Sequence, residues 1–166
     1  MATDKKYILS KEVVEKKLRR MAFEILENNI DEKEIILAGI RESGSVVAKV
    51  IQKMLGEIAD IKTEFITIEI DKNEPTNVSL SKTFDFNGKV IIVIDDVCNS
   101  GKTLLYALKP FLISHPKKIQ TLVLVDRTHN SFPVRPDYVG LSIATTLQEH
   151  IFVEVKGEDV MGAYLI

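Results

Sequence analysis

The sequence predicts an α/β fold: a central, mainly parallel sheet flanked by helices, with a mobile lid loop at about residues 71–88. Three observations lead there. Strand-like and helix-like segments alternate along the chain, the pattern of parallel strands joined by crossover helices. The run Val90-Ile91-Ile92-Val93-Ile94 is apolar at every position. A strand facing water on one side would alternate, so this one is buried on both faces, as strands of parallel sheets are. Residues 71–88 are polar, contain Pro75 and have no clear period. A long structureless loop inside a compact domain is usually functional, commonly a lid.

The elements follow in order. Ser10 caps a helix over 11–28, where Val13, Val14, Leu18, Met21, Ala22, Ile25 and Leu26 form an apolar stripe at helical spacing. Ile35-Ile36-Leu37-Ala38 is a short buried strand ending at Gly39. Arg41-Glu42-Ser43-Gly44 is a loop, and Ser45 caps a helix reaching Leu55. Residues 64–70 alternate, with Phe65, Ile66, Ile68 and Ile70, and form a strand. Past the lid come a strand over 89–95, a helix over 103–113 and a strand over 119–125. Residues 126–136, with Pro133 and Pro136, are a loop, and 138–144 and 151–155 are short strands. There are no repeats or low-complexity linkers, so residues 1–166 are expected to form one domain.

Composition removes several function classes. The chain is 45% hydrophobic and 28% charged, with formal net charge −2, which argues against a strongly basic nucleic-acid binder but leaves room for a local basic patch. The single cysteine, Cys98, excludes an intrachain disulfide and fits a reducing compartment. No apolar run is long enough to span a bilayer, and no signal-peptide core precedes the first helix, so the expected location is cytoplasmic.

The chemistry concentrates in residues 90–103. The apolar strand ends in two carboxylates, Asp95 and Asp96, which are costly to bury without partners. They are expected at the carboxyl end of the strand, where open α/β sheets bind ligands. Val97, Cys98 and Asn99 then lead into Ser100-Gly101-Lys102-Thr103. That turn offers backbone N–H groups, two hydroxyls and an ammonium at a helix start, which suits an anion. Carboxylates beside an anion cradle suit a ribose 5-phosphate: the acids accept from vicinal hydroxyls and the turn holds the phosphate. An ordinary strand–turn–helix would explain the turn but not the paired acids. A P-loop is ruled out, since no glycine precedes Gly101-Lys102-Thr103 at the required spacing. A helix start would lower the Cys98 pKa; the plainer alternative is a small residue filling a variable position.

This segment resembles the PRPP-binding motif of the type I phosphoribosyltransferases: an apolar strand, two acids, a short variable piece, then Ser/Thr-Gly-Lys/Arg-Thr. Other stretches extend the resemblance over almost the whole chain. Leu124-Val125-Asp126-Arg127-Thr128-His129 and Pro133-Val134-Arg135-Pro136-Asp137-Tyr138-Val139-Gly140 are similar to the bifunctional pyrimidine operon attenuator/uracil phosphoribosyltransferase proteins. So are Leu18, Arg20, Ala22 and Glu24 of the first helix, and Gly39-Ile40.

The resemblance implies a type I phosphoribosyltransferase fold and transfer of phosphoribose from PRPP to uracil, with Mg2+ accompanying PRPP and a nucleoside monophosphate as product. It implies that Asp95 and Asp96 hold the ribose hydroxyls and that Asn99, Ser100, Gly101, Lys102 and Thr103 hold the 5-phosphate, with Val97 and Cys98 lining the same turn. Arg41, Glu42, Ser43 and Gly44 match the diphosphate loop. Asp126 would meet Mg2+ through water, Arg127 the diphosphate, and backbone groups of Tyr138, Val139 and Gly140 the base. A homodimer or higher oligomer is implied. In the attenuator proteins a basic helix face contacts RNA; here Lys16, Arg19 and Arg20 are the candidates, with Phe23 beside them. The plainer alternative for that face is solvated charge with Phe23 as an oligomer contact. The chain departs from the family pattern in its lid, where Lys72 and Lys82 are the cations, and in Glu42-Ser43 where relatives carry Thr-Arg. These departures support a second reading, an RNA-binding attenuator or nucleotide-sensing regulator with little or no transferase activity.

Overall fold

The computed structural model describes residues 4–71 and 73–166. Lys72, one of the two lid cations, lies outside the described residues. The central sheet has six strands in the order β4-β3-β2-β5-β6-β7. These are β2 (Glu34–Ile40), β3 (Lys62–Ile70), β4 (Val78–Leu80), β5 (Val90–Cys98), β6 (Lys118–Asp126) and β7 (Tyr138–Ser142). All its pairings are parallel except the antiparallel join of β4 to β3. Helices α1 (Lys11–Asn28) and α2 (Ser43–Ile58) cover one face, and α3 (Lys102–Ala107) covers the other.

β5 is the central strand, and its sequence explains its position. Val90, Ile92 and Ile94 pack with α1 and α2, while Ile91 and Val93 pack with Leu104, Ala107 and Phe111. None of the five is more than 1% exposed, so a strand without polar alternation finds apolar surface on both sides. α1 forms where its pattern says it should. Ser10 Oγ accepts from the Val13 amide at 3.3 Å, and Val14, Leu18, Met21, Ala22 and Ile25 are buried. Val13 is 40% exposed and lies off that stripe, one residue's rotation from Val14.

Four local expectations are corrected. α2 begins at Ser43, so Ser43 and Gly44 belong to its first turn and Ser45 lies inside it, its Oγ donating to the Gly39 carbonyl at 3.2 Å. β5 continues to Cys98, so the acid pair lies within the strand. α3 is only six residues long and gives way to a 3-10 turn at Lys109–Phe111, where Pro110 supplies no N–H. The lid is not structureless. β4 pairs with β3 from Ile68↔Leu80 to Ile70↔Val78, and Phe86 is buried edge-on against Phe111 at 5.0 Å.

The sequence pattern did not anticipate a second sheet, which is antiparallel in the order β1-β9-β8. It is built from β1 (Lys6–Ser10), β8 (Ile151–Lys156) and β9 (Asp159–Leu165). β1 is short and lysine-led, and β9 carries Gly162 and Ala163, residues of low strand propensity. Their pairing, Lys6↔Leu165 and Tyr7↔Tyr164, joins segments far apart in sequence. Leu9, Ile151, Val160, Ala163 and Leu165 bury this sheet's inner face against the α1–α2 core. Among the described residues, no helix is long and apolar enough to cross a membrane.

Candidate functional site

The carboxyl ends of β2, β5 and β6 lie side by side, the usual ligand position of a parallel sheet. Two glycines let the start of α2 settle against them. A Cβ on Gly39 would stand 2.6 Å from Ser45 Cα, and a Cβ on Gly44 would stand 2.8 Å from the Ile94 carbonyl oxygen and 3.0 Å from Asp95 Cα. No side chain fits at either place, so the first turn of α2 lies directly against the acid pair. Asp95 is 3% exposed and Asp96 is half-buried. Asp95 Oδ1 accepts from the Asp96 amide and Asp96 Oδ1 from the Val97 amide, both at 2.8 Å. These local bonds turn the carboxylates along the strand end.

The bend after β5 is shaped by the loop after β6. The Ser100 carbonyl accepts from the amides of Ser131 at 2.9 Å and Phe132 at 3.1 Å. Gly101 is buried at φ +88°, and a Cβ there would come within 2.9 Å of the Val134 carbonyl oxygen; glycine meets both requirements. The Lys102 amide donates to Ser100 Oγ at 3.3 Å, and the Leu105 amide to the Gly101 carbonyl at 3.0 Å, which starts α3. Asn99 and Lys102 are exposed, and Ser100 and Thr103 are half-buried.

For Cys98 the plainer alternative, a small buried residue in the turn, fits the structure, and a lowered pKa does not. Its thiol is pushed up to about 11, first by burial and then by the Asp126 and Asp95 carboxylates. At pH 8 about a thousandth of it is thiolate, so alkylation in the native protein should be orders of magnitude slower than in the unfolded chain. Iodoacetamide labelling followed by mass spectrometry measures this, and equal rates in the two states would contradict the burial.

The other expected residues are placed as follows. Arg41 is exposed and ion-paired with Glu69 of β3, and the Arg41–Glu42 peptide is cis. Glu42 is exposed and has no ion pair among the described residues. Asp126, 8% exposed, ends β6 and accepts from the Thr128 amide at 3.1 Å. Arg127, 9% exposed, does not point its guanidinium at open solvent. Its Nε donates to Thr145 Oγ1 and its Nη2 to the Thr146 carbonyl at 2.6 Å. Thr146 is fixed in turn: its amide donates to Glu149 Oε2 at 2.8 Å, and that bond holds the Glu149 carboxyl below its usual range.

Tyr138, Val139 and Gly140 lie level with the acid pair, since Asp95 pairs with Val123 and Val123 with Val139. Their side chains and carbonyls already have partners in the fold. Tyr138 is 2% exposed and donates its hydroxyl to Gln120 Oε1 at 2.9 Å, and burial raises its pKa. The Val139 carbonyl is taken by Arg20 Nη2 at 2.8 Å and the Gly140 carbonyl by Lys17 Nζ at 3.0 Å. The candidate RNA cations are also engaged: Lys16 with Glu12, Arg19 with Glu57 and Arg20 with Glu24. Phe23 is 48% exposed. Sequence reasoning missed Lys17, Thr145 and Thr146, whose partners lie on other elements and leave no periodic signal.

Comparisons with known proteins bear on the family and the fold. Residues 5–157 match the family model of the phosphoribosyl transferase domain. The chain is 37% identical to the bifunctional protein PyrR of Staphylococcus carnosus, over 96% of this chain and 97% of that one. It is 32% identical to the bifunctional protein PyrR of Haemophilus ducreyi, over 93% and 92% respectively. Its fold is similar to a hypoxanthine-guanine phosphoribosyltransferase of Bacillus anthracis, with TM-score 0.78 and 21% identity over 99% of this chain and 97% of that one. It is similar also to the hypoxanthine phosphoribosyltransferase of Trypanosoma cruzi, with TM-score 0.78 and 15% identity over 95% of each.

Proposed function

The chain belongs to the type I phosphoribosyltransferase family, and on that premise we propose that it transfers the phosphoribosyl group of PRPP to uracil, giving UMP and diphosphate. A bond forms between a uracil nitrogen and C1 of the ribose. The C1–oxygen bond to diphosphate breaks, its electron pair leaves with the diphosphate, and the nitrogen's proton passes to solvent. The transition state is oxocarbenium-like, as in glycoside hydrolysis.

The observation that carries this reading is the position of Asp95 and Asp96, between the first turn of α2 and the bend into α3. Two carboxylates there accept from the ribose hydroxyls and oppose the growing positive charge on the ring. The bend from Asn99 to Thr103 takes the 5-phosphate on one side. The first turn of α2, with Arg41 to Gly44, takes the diphosphate on the other.

Mg2+ fits this site as a companion of PRPP. Among the described residues, no group of three or more His, Cys, Asp or Glu side chains is placed to hold a metal alone. Substrate oxygens and water serve Mg2+ in such sites, and Asp126 would reach it through water. When bound, Mg2+ would neutralise charge on the leaving diphosphate. The exposed Phe23 supports a homo-oligomer contact on α1.

A second role is supported by the word bifunctional in the names of the relatives. Contact with RNA through Lys16, Arg19 and Arg20 would require those side chains to leave or share their carboxylates. The decisive experiment is Mg2+-dependent release of diphosphate from PRPP with each common base in turn. Turnover highest with uracil is expected. Binding of PRPP without turnover on any base would reject this function and leave a nucleotide-sensing regulator.

A further inference from the structure

We propose that Glu69 of β3 is a positioning residue that acts through Arg41: it holds the guanidinium on the side of β2 away from the acid pair, and a polyanion at the start of α2 must take the guanidinium from it. Glu69 thereby sets how tightly PRPP and diphosphate bind. The inference rests on phosphoribosyl transfer at the ends of β2 and β5.

Strand order supplies the direction. β3 and β5 flank β2 on opposite sides, so Arg41, which follows β2, has Glu69 to one side and Asp95 and Asp96 to the other. It turns to Glu69: Arg41 Nη1 donates to Glu69 Oε1. Ile68 and Ile70 join the core on the α3 side of the sheet. Side chains alternate along a strand, so Glu69, between them, faces the side that carries α2. The guanidinium is thus kept on the face where α2 begins, but displaced from β2 by about one strand spacing, roughly 5 Å, away from the acids.

The backbone around this pair is fixed, so the exchange involves side chains alone. Ile68 pairs with Ile40 of β2, Glu69 with Ser79 of β4, and the Arg41 amide donates to the Ile68 carbonyl at 3.0 Å. The Arg41 and Glu69 side chains are 58% and 53% exposed. An ion pair this open to water is weak, and a diphosphate presents several charged oxygens to a guanidinium where Glu69 presents one carboxylate. Diphosphate can therefore displace the carboxylate. Arg41 is the only cation in residues 39–45, and Glu42 beside it is acidic. Whatever holds Arg41 therefore decides the charge that this segment offers an anion.

The test is a double-mutant cycle. Diphosphate and ribose 5-phosphate, each with Mg2+, are titrated calorimetrically into the full chain, Glu69→Gln, Arg41→Gln and the double variant. Glu69→Gln is expected to tighten diphosphate binding roughly 2- to 5-fold, the scale of an exposed ion pair. Ribose 5-phosphate, which spans the acids and the bend but not the start of α2, should bind as before. The gain should shrink in about 1 M salt, where exposed charges are screened within about 3 Å. It should vanish when Arg41 is already glutamine, because the coupling runs through that side chain. In turnover, KM for PRPP should fall while KM for uracil holds, a split that general loosening of the fold would not produce. Unchanged or weaker diphosphate binding in Glu69→Gln would overturn the proposal. So would an equal gain in the Arg41→Gln background, which would make Glu69 a repelling charge and nothing more, or a matching gain for ribose 5-phosphate. Failure of the parent function looks different: the unsubstituted chain then binds neither diphosphate nor ribose 5-phosphate, and this proposal falls with it.

Discussion

Asp95→Asn combined with Asp96→Asn should leave the fold standing and lower kcat/KM for PRPP by roughly 10²- to 10⁴-fold. Asparagine keeps the shape of each side chain and an oxygen that can still accept the amide of the following residue, as both aspartates do now. Lost are the two negative charges proposed to face the ribose hydroxyls. Hydrogen bonds to charged groups contribute about 1.5–3 kcal/mol each, and about 1.4 kcal/mol is a factor of ten. The two together give the stated range. Thermal unfolding checks the fold, calorimetry with UMP checks the site, and an assay with PRPP checks turnover. UMP binding at full strength in the double variant would show that the ribose lies elsewhere.

Gly44→Ala should damage both stability and PRPP binding, while Gly56→Ala in the same helix should do neither. The added methyl at Gly44 would meet the Ile94 carbonyl oxygen at 2.8 Å and Asp95 Cα at 3.0 Å. Both are backbone atoms that cannot swing aside, so the start of α2 must lift. Overpacking of this kind costs about 1–3 kcal/mol, which lowers the thermal midpoint by several degrees in a chain of this size. The same displacement moves residues 41–44 away from the acids and should weaken the proposed diphosphate subsite. At Gly56 a Cβ meets nothing within 4 Å. Alanine there should stabilise the helix by about 0.5–1 kcal/mol. Equal midpoints for the two variants would contradict the close seating of α2 on β5.

The part of the site that was legible is the part contiguous in sequence. The apolar run, the two acids and Ser100-Gly101-Lys102-Thr103 follow one another, and their hydrophobicity, charge and conformational freedom are local signals of the strand, its end and the bend that the structure shows. α1 was legible because Ser10 and a repeating apolar stripe are local signals. Gly44 was misread, since Ser-Gly after a strand resembles a loop; its actual constraint comes from Asp95, some fifty residues away in the chain. The β4 strand was hidden because three residues carry no period, and its pairing with β3 is a tertiary choice. Arg20 and Arg127 show the same limit at the level of side chains. Their charges were visible, but Val139, Thr145 and Thr146 as their partners depend on which elements the fold brings together.

The small sheet also bears on how the chain folds. β1 pairs with β9 across a long stretch of chain, from Lys6 to Leu165. Pairings across such separations are slow, because a large loop must close before any contact forms. The six-stranded sheet and its helices can assemble while this edge of the core still lacks its cover. Until that pairing forms, Val14 and Leu18 of α1 lack part of their apolar cover, and association with neighbours is favoured there.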